Sequence, residues 1–156
     1  MKDIVSSGRV SDAVFSVCFS PFTAHAIEYG GVLYPTVEHA YHAQRYADPA
    51  IREEICTARS PLMAWSVSQK YKAQQQPDFP ERKVSVMKEL CRAKLEQHAD
   101  VRQALLESGD RAIVKHTVVG PGPDGFWDDG GDGSGKNMTG VIWMALREEL
   151  LQDKAT

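Results

Sequence analysis

A dense run of glycine and polar residues late in the chain is the first segment that could do chemistry. Eight of the twelve glycines lie between residues 120 and 140. Within this run, residues 127–137 hold Trp127, three aspartates, Lys136 and Asn137, and an amphipathic segment follows directly. Glycine lets the backbone turn sharply and bring N–H groups close to a ligand, whereas a simple linker needs no tryptophan. The run therefore predicts a binding loop.

This glycine-rich loop resembles two common ligand loops without matching either. The spacing from Gly130 to Lys136 is that of a phosphate-binding Walker loop, but Asn137 stands where Ser or Thr would hold magnesium. A Walker loop follows the first strand of a large parallel sheet, and fewer than twenty residues follow Asn137. We therefore expect no nucleoside triphosphatase. A calcium loop is also excluded, because the aspartates lack the alternate spacing and no glutamate closes the loop.

A second group of reactive side chains lies at the start of a predicted helix near residue 37. One face of this helix carries Glu38, Tyr41, His42 and Arg45. The helix dipole favours an acid in the first turn, so Glu38 is either a catalytic carboxylate or a simple helix-stabilising residue. His39 and His42 are three residues apart, whereas the zinc metalloprotease motif spaces its histidines four apart. We expect no metal here.

Basic residues on a later predicted helix form a weaker candidate. Lys88 and Arg92 lie one turn apart and could bind a phosphate. Glutamates are interleaved with them, and a helix surface of mixed charge is usually only solvated.

The elements that would position these side chains are mostly helices. Alternating apolar residues predict a strand over residues 13–19, and β-branched residues predict another over 112–119. Gly30-Gly31 between two apolar segments predicts a hairpin. Periodic apolar residues predict helices that begin after the caps Thr36, Asp48, Ser60 and Asp100, near residue 80 and after Asn137. We expect a mostly α fold with a small antiparallel β element (α+β).

Composition indicates one domain over residues 1–156. The chain is 42% hydrophobic with a net charge of −3, which argues against non-specific nucleic-acid binding. No segment has the character of a signal peptide or a membrane span. Three cysteines without metal-ligand spacing are typical of a reduced protein. We therefore expect a cytoplasmic protein with no cofactor and no membrane partner.

Several motifs, taken in chain order, resemble those of the NADAR family, which has the YbiA-like fold. They span about Phe15 to Leu150 and comprise Ser20-Pro21-Phe22, the run from Tyr34 to Arg45, Arg59-Ser60-Pro61, Val86-Met87 with Arg92-Ala93-Lys94, and the glycine loop from Trp127 to Gly140. Two positions depart from the family pattern. Val17 follows Phe15-Ser16 where asparagine is frequent, and Phe79 occupies the place of a tryptophan. We expect these changes to affect substrate preference more than reaction type.

The resemblance implies an N-glycosidase that hydrolyses the bond between ribose C1 and an exocyclic nitrogen. Such cleavage passes through an oxocarbenium-like state, which a fixed carboxylate stabilises. The implied catalytic residues are Glu38, as stabiliser or base, and Asp129, as second acid or ribose ligand. Trp127 would stack on the base, and the loop amides would bind phosphate or ribose. The implied substrate-binding residues are Ser16, Tyr34, His39, Tyr41, Gln44, Arg45, Phe79, Lys88, Arg92, Trp127, Gly130, Gly131, Gly133, Gly135 and Asn137.

The resemblance leaves three functions open. The leading expectation is removal of ADP-ribose from guanine in DNA, which would oppose a cognate ADP-ribosyltransferase toxin and fits an isolated single domain. The second is hydrolysis of small phosphorylated ribosylamino-pyrimidine intermediates of riboflavin synthesis. The third is a module that binds ADP-ribose without cleaving it. Two acids at separate chain positions favour an enzyme.

Overall fold

Helices dominate the computed structural model, which describes residues 12–117 and 125–155. This part of the chain contains six α-helices and one antiparallel sheet of two strands, so the expected mostly α fold with a small β element is confirmed. It divides into two compact units, one from the described residues of 1–19 and 103–156 and the other from residues 20–102. No helix described here is both long and apolar enough to cross a membrane.

A short hairpin opens the unit formed by residues 20–102. Its strands are β1 (Ile27–Tyr29) and β2 (Val32–Tyr34), paired so that Ile27 lies opposite Tyr34. Gly30 and Gly31 have φ values of 58° and 80°, the left-handed backbone that a tight hairpin turn requires. Ile27 and Tyr34 are buried, so the open end of the hairpin is anchored in the core. The predicted hairpin is confirmed.

Three helices of the same unit begin at the polar caps that the sequence indicates. In each, the cap side chain accepts a hydrogen bond from a backbone N–H of the first turn, which otherwise has no partner. The caps are Thr36 before α1 (Val37–Ala43), Asp48 before α2 (Pro49–Cys56) and Ser60 before α3 (Pro61–Lys70). Proline is the first residue of α2 and of α3, where its missing N–H costs nothing.

Helix α4 (Phe79–Gln97) is the longest in this unit, and α1 packs against it as well as against α2 and α3. Its buried face includes Val86, Met87, Leu90 and Cys91. The next helix, α5 (Ala99–Glu107), begins two residues earlier than a cap at Asp100 indicates. Its first backbone bond runs from Arg102 N to His98 O, so Asp100 lies in the first turn and not at the cap.

The other unit is built on α6 (Met138–Ala155), which follows the glycine-rich loop as predicted. Trp143 on this helix is fully buried, and its Nε1–H donates to the carbonyl of Phe19 across 3.0 Å. The rings of Phe19 and Trp143 also stack, with centroids 5.0 Å apart. An indole buried with its N–H satisfied anchors this helix without an unpaired polar group.

The two predicted strands at residues 13–19 and 112–119 are wrong in their extent. In the described residues of these segments, 13–19 and 112–117, one parallel bridge forms, between Val14 and Ile113. After it the chain turns into a short 3₁₀ helix at Val17–Phe19, where Phe19 N donates to Ser16 O. Residues 118 and 119 lie outside the described part of the chain. The alternation of apolar residues therefore comes from a short buried bridge and a turn. A half-buried irregular segment can show the same alternation of apolar and polar residues as a strand.

Candidate active site

Glu38 lies in the first turn of α1 and is held there through both its backbone and its side chain. Its N–H donates to the carbonyl of Pro21 across 3.1 Å. Its Oε1 lies 2.7 Å from Nε2 of His42, one turn further along the helix. The Glu38 side chain is 12% exposed, so it reaches solvent while most of its surface is buried. Within the described residues no group donates to Oε2, which is therefore the oxygen left for a ligand or a water.

The hydrogen bonds of His42 define where its ring proton lies. Nε of Arg45 donates to Nδ1 of His42 across 3.1 Å, and a guanidinium can only donate. Nδ1 must therefore carry a lone pair, which places the proton on Nε2, facing Oε1 of Glu38. The His42 side chain is only 3% exposed, so its ring nitrogens depend on these protein partners for their hydrogen bonds. His42 acts as a neutral donor that orients the Glu38 carboxylate.

Arg45 is fixed in turn by a hydrogen bond and by two aromatic rings. Its NH1 donates to Oε1 of Gln75 across 2.8 Å. Its Cζ lies 5.1 Å from the ring centre of Tyr41 and 4.9 Å from that of Phe79, both cation–π distances. A planar guanidinium suits this combination of stacking and forked hydrogen bonding, which a lysine could not reproduce.

Tyr41 and Phe79 are largely enclosed. Their rings meet edge to face at 5.4 Å, and only 4% of Tyr41 and 1% of Phe79 is exposed. Burial raises the pKa of Tyr41 to about 12, with Arg45 lowering it and Glu38 raising it, so its hydroxyl stays protonated at neutral pH. Phe79, expected among the substrate-binding residues, is enclosed in this structure, where its ring contacts Arg45.

Three further residues of the Tyr34–Arg45 run are engaged with other parts of the protein. His39 is buried, with Nδ1 bonded to Oγ1 of Thr36 at 2.7 Å and Nε2 to the carbonyl of Ala58 at 2.9 Å. Nε2 of Gln44 donates to Ala40 O and to Oη of Tyr34. These contacts join α1 to the hairpin and to the end of α2, so all three side chains have a structural role.

A cavity of about 370 Å³ opens beside Tyr34 in the same unit. Its lining comprises Val32, Tyr34, Ala47, Pro49, Arg52, Glu53 and Cys56. Glu38 is not among the lining residues, and NH2 of Arg52 is engaged with Tyr34 Oη and Gln44 Oε1, each at 3.4 Å. The cavity therefore does not include the candidate catalytic carboxylate.

Lys88, Arg92 and Ser16 are the remaining expected ligands outside the glycine-rich loop. Lys88 and Arg92 are half-buried residues of α4. Ser16 belongs to the other unit, where its Oγ lies 3.2 Å from Sγ of Cys18. Their role in substrate binding remains a prediction from the family resemblance.

In the glycine-rich loop, Asp129 is the centre of a hydrogen-bond network. Its Oδ2 lies 2.6 Å from Nδ1 of His116, and its Oδ1 accepts from the N–H groups of Thr117 and Gly131. Burial by itself would raise the pKa of Asp129, but the hydrogen bonds from His116, Gly131 and Thr117 outweigh it, so the net pKa lies below its usual value. Asp129 is therefore an ionised carboxylate that organises its own loop.

The loop amides expected to face a phosphate donate within the loop itself. The N–H groups of Gly130 and Ser134 each donate to an aspartate two residues earlier, at 2.8 Å and 2.9 Å. Those of Gly133 and Gly135 donate to the carbonyl of Asp129 at 3.0 Å and 2.8 Å. A ligand phosphate could use these donors only by displacing the hydrogen bonds that already satisfy them. In this structure the amides therefore stabilise the fold of the loop.

Asn137 and Gly140 explain why the loop turns sharply into α6. Asn137 is buried in the left-handed conformation with φ 51°; its Oδ1 accepts from Lys115 N and its Nδ2 donates to Ile113 O. A Cβ on Gly140 would lie 1.9 Å from the carbonyl of Ile113, which only glycine avoids. Asn137 was expected to bind substrate, but both of its side-chain polar atoms hydrogen-bond to the backbone of residues 113–115.

Trp127 is half-buried and contacts Phe126 edge to face, with ring centres 4.9 Å apart. Its carbonyl accepts from Thr139 N across 3.2 Å, which ties it to the first turn of α6. The indole is thus positioned by the loop while part of its surface stays accessible, the arrangement that a stacking residue needs.

Two residues in the hydrogen-bond networks around the candidate catalytic acids were not singled out from the sequence. Gln75 reaches Arg45 from the segment before α4, and His116 reaches Asp129 from the segment after α5. The catalytic candidates themselves belong to different units: Glu38 to residues 20–102 and Asp129 to the other.

Comparison with known proteins identifies relatives over most of the chain. A family model described as the NADAR domain matches residues 8–151. N-glycosidase YbiA of Escherichia coli (strain K12) is 38% identical over 136 residues, which cover 87% of this chain and 82% of that protein. The NMR structure of E. coli YbiA superimposes with a TM-score of 0.78 at 37% identity, over 88% of this chain and 80% of that chain.

More distant relatives carry two kinds of name. N-glycosidase Npun_R5314 of Nostoc punctiforme is 34% identical over 136 residues, covering 85% of each protein. Riboflavin biosynthesis protein VVA0006 of Vibrio vulnificus is 35% identical over 125 residues, which cover 80% of this chain but 33% of that protein.

Proposed function

Because the chain belongs to the NADAR domain family, we propose that it is an N-glycosidase that hydrolyses a bond between ribose C1 and nitrogen. Relatives named N-glycosidase in two bacterial genera support this chemistry. As the substrate we propose ADP-ribose attached to guanine in nucleic acid. Its removal would reverse the action of a guanine-directed ADP-ribosyltransferase.

The observation that carries this proposal is the oriented carboxylate of Glu38. An acid that served only the helix dipole would need no partner beyond solvent. Glu38 instead has one oxygen bonded to the buried His42, while Oε2 meets no donor in the described part of the chain. A carboxylate held in one rotamer with one free oxygen is what stabilisation of a positive ribose C1 requires.

In the proposed reaction the C1–N bond breaks, and its electron pair leaves with the nitrogen, which takes up a proton. The oxygen of a water forms the new bond to C1 and loses a proton. Positive charge develops on C1 and the ring oxygen between these events. Oε2 of Glu38 would face that charge or accept the proton of the attacking water, and in either role the carboxylate must be negative.

His42 and Arg45 serve as positioning residues in this account. His42 holds Oε1 of Glu38, and Arg45 holds His42 in the tautomer that can donate. Because Arg45 itself contacts two enclosed rings and Gln75, the series is positioned before substrate arrives. Preorganisation of this kind avoids reorganisation cost in the transition state.

Trp127 favours a purine-linked substrate. Its indole is half-buried and supported by Phe126, so it offers a bicyclic surface on which guanine could stack. Asp129 is proposed to act through the loop that carries Trp127, since three of its hydrogen bonds join residues 116, 117 and 131.

Hydrolysis of a phosphorylated ribosylamino-pyrimidine is the second candidate. It is favoured by the relatives in Vibrio vulnificus and Zea mays, which are named riboflavin biosynthesis proteins. The bond broken is of the same type, so Glu38 would have the same role. The difference lies in the base and in the number of phosphates bound.

One assay separates these functions. The purified protein is incubated with DNA carrying ADP-ribosylated guanine and, in parallel, with the phosphorylated ribosylamino-pyrimidine. Release of free ADP-ribose from the DNA supports the proposal, whereas release of ribose phosphate alone would favour the second function. Binding of either compound without any release would make the protein a non-catalytic module. Both reactions are expected to proceed in EDTA, and a requirement for added zinc or magnesium would contradict this part of the account.

A further inference from the structure

A group of metal-ligating side chains lies apart from the residues proposed for catalysis. His25, His98 and Asp100 each offer one ligand atom, and these atoms lie within 4.8 Å of one another. Within residues 12–117 and 125–155 it is the one such group of three His, Cys, Asp or Glu side chains. All three residues belong to the unit of residues 20–102.

His98 is held in the tautomer that a metal ligand needs. Its Nε2 lies 2.6 Å from the carbonyl of Ala26, and a carbonyl can only accept, so Nε2 carries the proton. In the neutral ring Nδ1 then holds a lone pair, and within the described residues no donor meets it. A backbone carbonyl behind one ring nitrogen is the usual support of a metal-bound histidine.

His25 can be supported in the same way. Its Nδ1 lies 2.6 Å from Oγ1 of Thr23, and its Nε2 lies 2.6 Å from Oδ2 of Asp100. When Nδ1–H donates to Thr23, Nε2 has its lone pair free for an ion. The two rings lie edge to face, with centres 4.9 Å apart, so both imidazoles border the same small volume.

We propose that His25, His98 and Asp100 bind a divalent transition-metal ion of the zinc class. Two imidazoles and a carboxylate are a donor set that Zn²⁺ accepts, with water completing a tetrahedron. Ligand bonds of about 2.0–2.2 Å in a tetrahedron place neighbouring ligand atoms roughly 3.3 Å apart. Nε2 of His25 and Oδ2 of Asp100 must therefore separate slightly, and Asp100 can move because its side chain is 66% exposed.

The expected consequence is local stabilisation. The ion would join the loop before β1 to the junction of α4 and α5, because His25 comes from the first and the other two ligands from the second. Nζ of Lys94 donates to Oγ1 of Thr23 across 2.7 Å, behind His25. Its charge opposes that of the ion, so we expect weaker binding than at a four-ligand structural zinc site.

The test is titration of the full-length protein, with any affinity tag removed, with ZnCl₂ by calorimetry and with Co²⁺ by visible absorption. The wild type is expected to bind one equivalent of each ion. Loss of an outer hydrogen-bond partner typically weakens metal binding about 10–100-fold, so loss of a ligand should cost at least about tenfold. We expect this loss in His98→Gln, whose amide can still donate to Ala26, and in Asp100→Asn.

His116→Ala is the matched control, because it removes an exposed histidine outside the group and should leave the metal affinity unchanged. Zn²⁺ should raise the melting temperature of the wild type and not of His98→Gln. Asp100→Asn keeps an oxygen that can accept from Nε2 of His25, so we expect the variant to fold with only a small loss of metal-free stability. A wild type that takes up no stoichiometric ion, or ligand variants that bind as tightly as the wild type, would overturn the proposal.

Discussion

His42 donates its Nε2–H to Oε1 of Glu38 across 2.7 Å, one helical turn away on α1. Both side chains are mostly buried, and Arg45 fixes the other ring nitrogen of His42 across 3.1 Å. The Glu38 carboxylate is therefore oriented by its own helix before any substrate binds. An exposed glutamate would lose side-chain conformational entropy in the transition state, whereas the Glu38 side chain is already ordered in the free protein.

Replacing His42 should lower turnover without removing substrate affinity. His42→Phe fills the ring volume but removes the donor to Glu38, and misplacement of a reacting group can cost up to about 10²-fold in rate. We expect kcat to fall toward that limit while KM changes little. His42→Gln, which can still donate to Glu38, should recover most of the loss. Equal rates in wild type and His42→Phe, measured per folded molecule, would show that the hydrogen bond only stabilises the helix.

Asp129 should make a pH-dependent contribution to stability. Its folded-state pKa lies below the unfolded value of about 3.9, so the contribution is complete above about pH 4 and is lost as pH falls through the folded pKa. Melting temperatures of the wild type should therefore approach those of Asp129→Asn on acidification below pH 4. A difference between the two proteins that stays constant from pH 7 to pH 2.5 would contradict an ionised Asp129.

The same variant tests whether the loop acts in catalysis. Asp129→Asn loses charge at the centre of the hydrogen bonds to residues 116, 117 and 131, so the loop should become less ordered. We expect KM to rise and kcat to fall together. Steady-state kinetics at pH 7 would show this, and a selective loss of kcat alone would instead mark Asp129 as a direct participant in bond cleavage.

Trp127 should contribute to binding through stacking. Stacking of a base on an aromatic side chain is typically worth about 1–3 kcal/mol, so Trp127→Ala should weaken substrate binding by about tenfold or more. Trp127→Phe keeps an aromatic surface and should lose less. Because Trp127 also contacts Phe126, thermal melts are needed alongside binding titrations. Equal, small binding losses in both variants with a lower melting temperature would make it an ordinary packing residue.

The parts of the site that the sequence predicted are those joined by local geometry. Thr36 caps α1, and the four-residue spacing of Glu38 and His42 brings them together on any helix. The hairpin at Gly30 follows equally directly from its turn residues. In contrast, Gln75 meets Arg45 across thirty positions of sequence, a contact set by tertiary packing that periodicity does not encode.

The glycine-rich loop shows a signal that was present but not used. Asp128, Asp129 and Asp132 each accept from the N–H two residues later, the pattern of Asx turns. Aspartates placed two residues before Gly130, Gly131 and Ser134 indicate that the loop satisfies its own amides. The expectation of a phosphate cradle rested on glycine content and on the family resemblance, and glycine content does not say which acceptor an N–H will find.

Single-turnover cleavage by Glu38→Gln tests the central claim most directly. The amide keeps the size of the side chain and an oxygen that can accept from His42, but it removes the negative charge. Loss of one electrostatic stabiliser typically costs about 10²–10³ in rate, so we expect cleavage to slow by that factor while the substrate still binds. If Glu38 served only the helix dipole, the variant would lose about 0.3–1 kcal/mol of stability and cleave at the wild-type rate, which would remove Glu38 from the mechanism.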